Sequence, residues 1–463
     1  MGGRRTAPPD LRGYLSAIER AGQIKRVTKP VSTRYEIAGV TARADGGPAM
    51  LFESVRGSRD GFRLVSNLVG TRPRFAAAVG AKTEHTIHDK VISAISKARK
   101  PRISRRAGLY EENHTRDLSV LPIVTHFEKE PGPFVTSSVI YAENPETGAQ
   151  NSSFHRLMPV AGGSGSGGGK TTRCTVRMVE GRHLHRCFEA AKDMKQDLRV
   201  AITIGVHPAI SIAAAYQAEW GRDEMHIANS ILGGKLELAK LGWSGMYVPS
   251  ASEIVLEGRI LHDVTHKEWM VEMLQTYDHK RQQPIFELEQ LHYRNDPIFH
   301  DVLSGYAEHR LLMGMPIESK LTGELGAAFP QVRRVSITNG GCNWLHAVVQ
   351  ISKRRSDDPA RIIKRAFAAH RSLKQVTVVD EDIDPDSAES VEYAMATRFQ
   401  ADKDLVIVRN VRGSSLDPSS DQKNLKTAKM GVDATIPRSK RPEGFEIAKI
   451  PGIDRIRLER YFG

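Results

Sequence analysis

"NSSFHRLMPVAGGSGSGGGKTTRCTVRMV", residues 151–179, sets two alternating, strand-like runs, "SSFHRLMPV" and "TTRCTVRMV", on either side of a glycine-rich stretch. The stretch ends in Gly169-Lys170-Thr171, the way a phosphate-binding loop ends. Such a loop needs Gly-x-x-x-x-Gly-Lys-[Ser/Thr], entered from a strand and left by a helix, so that backbone N–H groups surround the phosphates. Counted back from Gly169, the first required glycine falls on Ser164, and the residues after Lys170 are rich in β-branched side chains and alternate as a strand does, not as a helix. Two strands joined by a glycine-rich connection make a hairpin. The pattern predicts antiparallel sheet and no grip on a nucleoside triphosphate, with Lys170 at the edge of the connection.

Outward from the hairpin, strand-like runs fill the chain from about Asp117 to Gln283: "FVTSSVIYAEN", "RVAITIGV", "LELAKLGW" and "SEIVLEGRI". Two helical patterns interrupt them, "RHLHRCFEAAKDM" and "DEMHIANSILGG". Many strands with few helices favour an antiparallel or barrel-like sheet over a doubly wound parallel one. Upstream, "DLRGYLSAIERAGQIKRV" spaces its apolar residues as an amphipathic helix, and "AMLFESV" and "FRLVSNLVG" come next as strands. The basic run "SKARKPRISRR" reads as a link. Downstream, "VRRVSITNGG", "LHAVVQISK", "PARIIKRAFAAHRSL", "VTVVDEDID" and "DLVIVRN" alternate strand and helix, and "GSSLDPSS" and "KMGVDATIP" read as a tail of loops. The expected division is an N-terminal α/β domain over 1–115, a strand-rich domain over 116–305, and a C-terminal α/β domain with its tail over 306–463.

A chain of 463 residues is long enough for two or three domains, and 40% hydrophobic with 26% charged residues is an ordinary soluble composition. No apolar run approaches the roughly 20 residues of a membrane span, and "MGGRRTAPPDLRGYL" lacks the apolar core of a secretory signal. The expectation is a cytoplasmic protein with no membrane partner. Three scattered cysteines exclude a disulfide framework or a cysteine-rich zinc site. The net charge of +13 is spread along the chain without a nucleic-acid-binding motif, which suits an anionic substrate or cofactor, or a solvated surface, rather than a nucleic acid.

Asn151 opens a strand, and His183 and Glu224 each open a helix. An amide oxygen, an imidazole and a carboxylate suit Mn2+ or Mg2+, although turn and N-cap roles explain the same residues. His262 and His266 in "LHDVTH" are four apart but lack the glutamate of a zinc motif and sit beside a strand. Arg156 shares a strand face with Phe154 and points away from His155, and guanidinium is a bidentate clamp for carboxylates. Glu268 and Glu272 in "THKEWMVEML" would share a face if helical; a carboxyl beside an arginine can hold or deliver a proton. Lys429 stands in a loop that could touch a phosphate.

Together these stretches resemble the UbiD family of decarboxylases over most of the chain. The resemblance is carried by "GPFVTSSVIYAENPETGAQNSSFHR", "RHLHRCFEAAK", "GVHPA", "DEMHIANSILGG", "VPSASEIVLEGRI", "TNGGCNWLHAVV" and "KMGVDAT". It implies a non-oxidative carboxy-lyase of α+β (α/β) class, with a split β-barrel cofactor domain flanked by α/β regions, using prenylated FMN, Mn2+ and a nearby K+. It also implies a homodimer or larger homo-oligomer, a small carboxylic acid substrate, and a separate flavin prenyltransferase that supplies the cofactor. By position, the resemblance makes Asn151, His183 and Glu224 the Mn2+ ligands against the cofactor phosphate. Thr136, Ser137 and Ser138 line the cofactor, with Phe154, His155 and Arg182 nearby and Lys429 approaching the phosphate. Arg156 becomes the arginine that orients the substrate carboxylate.

One departure bears on chemistry. Where the family has Glu-Gly-Pro-Phe-x-[Glu/Asp], this chain has "KEWMVEM". Aligned backwards from "QTYD", Glu272 takes the place of the second acid, the proton donor; the first falls on Lys267 or, with one residue deleted, on Glu268. The lost Gly and Pro imply a reshaped pocket wall. The runs "HYRNDPIFHDVLSGYAEHRLLMG" and "ITNGGCNWLHAVVQISK" resemble the archaeal branch of the family. That branch implies an α,β-unsaturated acid carrying a phosphate, from isoprenoid biosynthesis by a mevalonate pathway, and extra cations to receive it; His155, Lys267 and Lys170 are candidates. An aromatic or heteroaromatic acid (de)carboxylase, and a non-catalytic flavin- or nucleic-acid-binding protein, stay open as other readings.

Overall fold

A computed structural model describes residues 9–58, 61–160, 170–216, 218–448 and 450–462, so the glycine stretch 162–169 lies outside the described residues. The chain forms two compact units: Met1–Gly323 with Asn339–Trp344 and Leu416–Pro418, and Glu324–Thr338 with Leu345–Ser415 and Ser419–Gly463.

The first unit is organised by six strands: β1 (Val135–Glu143), β2 (Gln150–Pro159), β3 (Arg173–Val176), β4 (Leu198–Ile204), β5 (Ile254–Glu268) and β6 (Arg281–Tyr293). They neighbour one another in the order β3-β2-β1-β4-β5-β6, and β3 pairs again with β6, which closes an antiparallel barrel. The hairpin read from the sequence is β2–β3, with Leu157 opposite Val176 and Pro159 opposite Cys174.

Alternation along these strands feeds two cores. Ile140, Ala142, Val200, Ile202 and Leu256 pack with Leu184, Cys187 and Phe188 of helix α1 (His183–Asp193). Their neighbours Val139, Tyr141, Ala201 and Val255 pack with helices α2 (Pro208–Ala215) and α3 (Glu224–Ile231). Each fully buried Val or Ile is worth roughly 1.5–3 kcal/mol, and because both faces of these strands are covered, both sets contribute. Between β4 and α2 the backbone turns at Gly205, with φ +74°, where a Cβ would come within 2.6 Å of the Ile298 carbonyl. His207 and Pro208 then start α2, the imidazole accepting from the Ala209 N–H. Asp223 caps α3 by accepting from the Met225 N–H. Ahead of the barrel, the opening helix Leu11–Arg20 is capped by Asp10, and the strands Ala49–Phe52 and Arg63–Ser66 join a four-stranded sheet.

The second unit carries a five-stranded sheet in the order Val332–Ile337, His346–Ile351, Gln375–Asp380, Lys426–Ala434, Leu405–Arg412, with helices Asp358–Ala369 and Ala388–Arg398. Here the sequence reading needs correcting. "KMGVDA" is not loop but part of strand Lys426–Ala434, because its small Gly431 and apolar Val432 and Ala434 fit between two other strands. The basic link also contributes a short strand, Arg102–Ile103. No helix of the described residues is long and apolar enough to cross a membrane.

Candidate active site

Two polar clusters grow from the barrel. The first gathers at one end of β2 and the starts of α1 and α3. Asn151 Nδ2 lies 3.2 Å from His183 Nδ1 and 3.2 and 3.1 Å from the two carboxylate oxygens of Glu224. The Ser152 N–H donates to Glu224 Oε2 at 2.9 Å, which fixes the carboxylate against β2. The edge of the His183 ring meets Trp220 at 5.0 Å between centroids. Glu224 is 2% exposed, and among the described residues no lysine or arginine pairs with it. A buried carboxylate without a cation is costly, so the pocket suits a positive guest. Among the described residues no three His, Cys, Asp or Glu side chains converge as a metal site, so this donor set depends on the amide of Asn151.

The second cluster surrounds Arg156. Its Nε and Nη2 donate to Glu268 Oε1 at 3.2 and 3.0 Å, its Nη1 donates to Glu272 Oε1 at 2.5 Å, and Asp278 Oδ2 lies 3.6 Å from Nη2. Glu268 also accepts from Thr175 Oγ1 at 2.7 Å. Burial works against the Arg156 cation, but Glu272, Glu268 and Asp278 outweigh it and hold the guanidinium protonated more firmly than usual. Burial would raise the Asp278 carboxyl, yet Arg281, Arg177 and Arg156 bring it below its ordinary value. Glu130 receives the N–H groups of Phe127 and Val271 at 3.2 and 3.1 Å and is pushed up by burial. His309, which accepts from the Gly305 N–H, is lowered to about 4 by burial and so is neutral at pH 7.

The structure brings Arg156, Glu268 and Glu272 together, as it does Asn151, His183 and Glu224. Glu268 and Glu272 do not share a helix: Glu268 ends β5, and Glu272 stands in a tight turn where its N–H donates to the Thr276 carbonyl. The alternation of β5 buries Glu268 and exposes Lys267, so Glu268, not Lys267, is the acid held against Arg156. His155 is no extra cation: burial lowers it to about 4, and its nitrogens are engaged by the Arg177 carbonyl and Ser153. Lys170 is exposed. Thr136 donates to Asp301, Ser137 to the His300 carbonyl and Ser138 to the His155 carbonyl, so these buried hydroxyls face protein partners. Phe154 packs against the α2–α3 core, and Arg182 is exposed just before α1. Lys429 belongs to the second unit, where its ammonium donates to the Arg371 carbonyl and burial lowers it to about 8.

Arg177, Thr175 and Asp278 went unread in the sequence. The first two were legible, since Arg173, Thr175 and Arg177 alternate along one face of the β3 run. Asp278 is a loop residue with no periodicity to mark it.

A closed antiparallel barrel carrying an arginine among carboxylates meets its match in known proteins. Models of the N-terminal, Rift-related and C-terminal domains of 3-octaprenyl-4-hydroxybenzoate carboxy-lyase match residues 15–95, 100–307 and 310–434. The fold and site thus define a carboxy-lyase, a decarboxylating enzyme. The chain belongs to the UbiD family. It is 39% identical over 421 residues to the anhydromevalonate phosphate decarboxylase of Methanocaldococcus jannaschii, covering 90% of this chain and 95% of the relative. The UbiD-class enzyme HmfF from Pelotomaculum thermopropionicum, solved in complex with FMN, is 35% identical with a TM-score of 0.91, covering 98% of this chain and all of that one. An evolved dimeric form of HmfF, solved with prenylated FMN, is 33% identical with a TM-score of 0.88 over the same share of this chain.

Proposed function

We propose that this decarboxylase converts trans-anhydromevalonate 5-phosphate to isopentenyl phosphate and CO2, using prenylated FMN with Mn2+, as a cytoplasmic homo-oligomer whose cofactor comes from a flavin prenyltransferase. The observation that carries the reading is the Arg156 guanidinium, its side chain 11% exposed, held between Glu268 and Glu272. Such a group binds a carboxylate and can hold an acid-base group beside it. The choice of acid is supported by similarity to the M. jannaschii relative.

The residues fit the cofactor and its metal. Glu224, buried with no cationic side chain against it among the described residues, and the neighbouring imidazole and amide would serve as an O/N donor set for a divalent ion, which would tie the cofactor phosphate to the barrel. Helix α1 begins at His183, so its N-terminal end adds partial positive charge there. When bound, the prenylated flavin supplies the electron sink that side chains lack for losing CO2 from an sp2 carbon. Arg156 orients the substrate carboxylate, Glu268 holds Arg156 in place, and Glu272, its side chain 18% exposed, would take up a proton from solvent and pass it to the carbon that CO2 leaves.

The test is to reconstitute the protein with prenylated FMN and Mn2+ and supply trans-anhydromevalonate 5-phosphate beside a panel of aromatic acids. Isopentenyl phosphate and CO2 are the expected products. Turnover of an aromatic acid with no isopentenyl phosphate would replace the reading with an aromatic acid (de)carboxylase.

A further inference from the structure

We propose that Arg156 and Arg177 form a two-point anion clamp, in which Arg156 takes the reacting carboxylate, Arg177 takes the second anionic group of the substrate, and Asp278 holds the two arginines together. The inference rests on the reading of the substrate as an acid that also carries a phosphate.

The two arginines are cross-strand neighbours. The Arg177 N–H donates to the Arg156 carbonyl at 3.2 Å, which continues the β2–β3 pairing past Val176. Side chains placed opposite each other on paired strands have Cβ atoms ~5 Å apart, and like charges in that position are destabilising. Burial and the Arg156 charge both push against the Arg177 cation. Nothing in the packing of a barrel calls for this pair, so its cost is offset elsewhere. Asp278 does so: its Oδ2 lies 3.6 Å from Arg156 Nη2 and 3.5 Å from Arg177 Nη2, and Arg281 anchors its other oxygen at 3.2 Å.

The partners of the two arginines differ. Arg156 is shared among Glu268, Glu272 and Asp278, whereas Arg177 meets Asp278 and donates from Nη1 to the Met178 carbonyl at 2.6 Å. A guanidinium has five N–H donors in a planar fork that matches a phosphate or carboxylate edge. Arg177 therefore retains donors for a ligand, and its side chain is 17% exposed, enough for a ligand to touch. The other cations suggested by the sequence do not compete for this place: His155 is neutral, and Lys267 and Lys170 are exposed.

The experiment uses holoenzyme reconstituted with prenylated FMN, as wild type, Arg177→Gln and Arg177→Lys, assayed on the phosphorylated acid, on the same acid without its phosphate, and with inorganic phosphate as a competitor. The expected result for R177Q is a KM for the phosphorylated acid raised by about 100-fold, the effect of losing a charge-assisted bidentate contact, with R177K recovering part of it. The ratio of KM values between the two acids changes accordingly, and competition by inorganic phosphate disappears. Asp278→Asn, which acts through both arginines, raises KM for both acids more than it lowers kcat. If R177Q shifts both acids equally, or inorganic phosphate competes as well against R177Q as against wild type, the clamp is overturned. If wild type prefers an acid without phosphate, the substrate reading fails, and the inorganic phosphate competition alone decides for or against Arg177.

Discussion

Glu268→Gln separates a residue that positions Arg156 from one that reacts. The Glu268 carboxylate is 1% exposed and accepts three bonds: from Arg156 Nε at 3.2 Å, from Arg156 Nη2 at 3.0 Å and from Thr175 Oγ1 at 2.7 Å. Glutamine keeps the shape, with its amide oxygen toward Arg156 and its NH2 toward a hydroxyl that can also accept. What is lost is the charge on two hydrogen bonds, ~1 kcal/mol each, since charge-assisted bonds are about twice as strong as neutral ones. Removing one partner of a buried ion pair ordinarily costs about 3–5 kcal/mol, but Glu272 and Asp278 still flank the Arg156 guanidinium, so the lower figure of ~2 kcal/mol applies. At 1.4 kcal/mol per decade, kcat/KM should fall about 30-fold if the lost energy appears in the transition state. Tm should fall by roughly 4–8 °C, taking about 2–4 °C per kcal/mol. Initial rates of CO2 release from reconstituted enzyme and a thermal melt measure both. A variant with wild-type kcat/KM and Tm would refute the claim that Glu268 holds Arg156.

Further outcomes are expected of the remaining groups. Glu272→Gln should lower kcat by about 100- to 10,000-fold with KM little changed, as loss of a general acid does, in the same CO2 assay. Glu224→Gln should cut the Mn2+ that copurifies with the holoenzyme by about ten-fold or more, read by atomic emission, because the buried charge that calls for a cation is gone. His155 and His309 lie at about 4 when folded against about 6.5 unfolded, so the stability they confer is complete above about pH 6.5 and drains as pH falls toward 4. Tm measured from about pH 7.5 down to about pH 4.5 should decline, and His155→Gln should flatten part of that decline; an equally steep profile in the variant would remove His155 from the account.

What the sequence made legible was local. The hairpin around the glycine stretch, helix α1, the capped start of α3, and strands β1, β4 and β5 all arise from alternation, helical spacing or capping among near neighbours in the chain. Strand β6 was missed although "QQPIFELEQLHY" alternates over part of its length, and α2, "PAISIAAA", was missed because a helix buried all round has no polar face to mark its period. Barrel closure could not be read, since it pairs Cys174 with Phe286, and no local pattern specifies a partner so far along the chain.

The same distinction accounts for the site. Arg156 opposite Arg177, and Glu224 buried with no cationic side chain against it among the described residues, each break a rule for placing charge when viewed from the nearest residues. The arginine pair is relieved inside the chain, by Glu268, Glu272 and Asp278, which lie more than a hundred residues along the sequence and reach Arg156 only because β5 ends, and the next turn folds, beside β2. Glu224 finds no such relief among the described side chains beyond an imidazole and an amide. Charge that a fold neutralises from within can be held ready for a substrate acid, whereas charge left unneutralised must be met from outside. On the proposed reading the first cluster would take a cation and the second the chemistry, and a single strand, β2, supplies a residue to each cluster: Asn151 to one and Arg156 to the other.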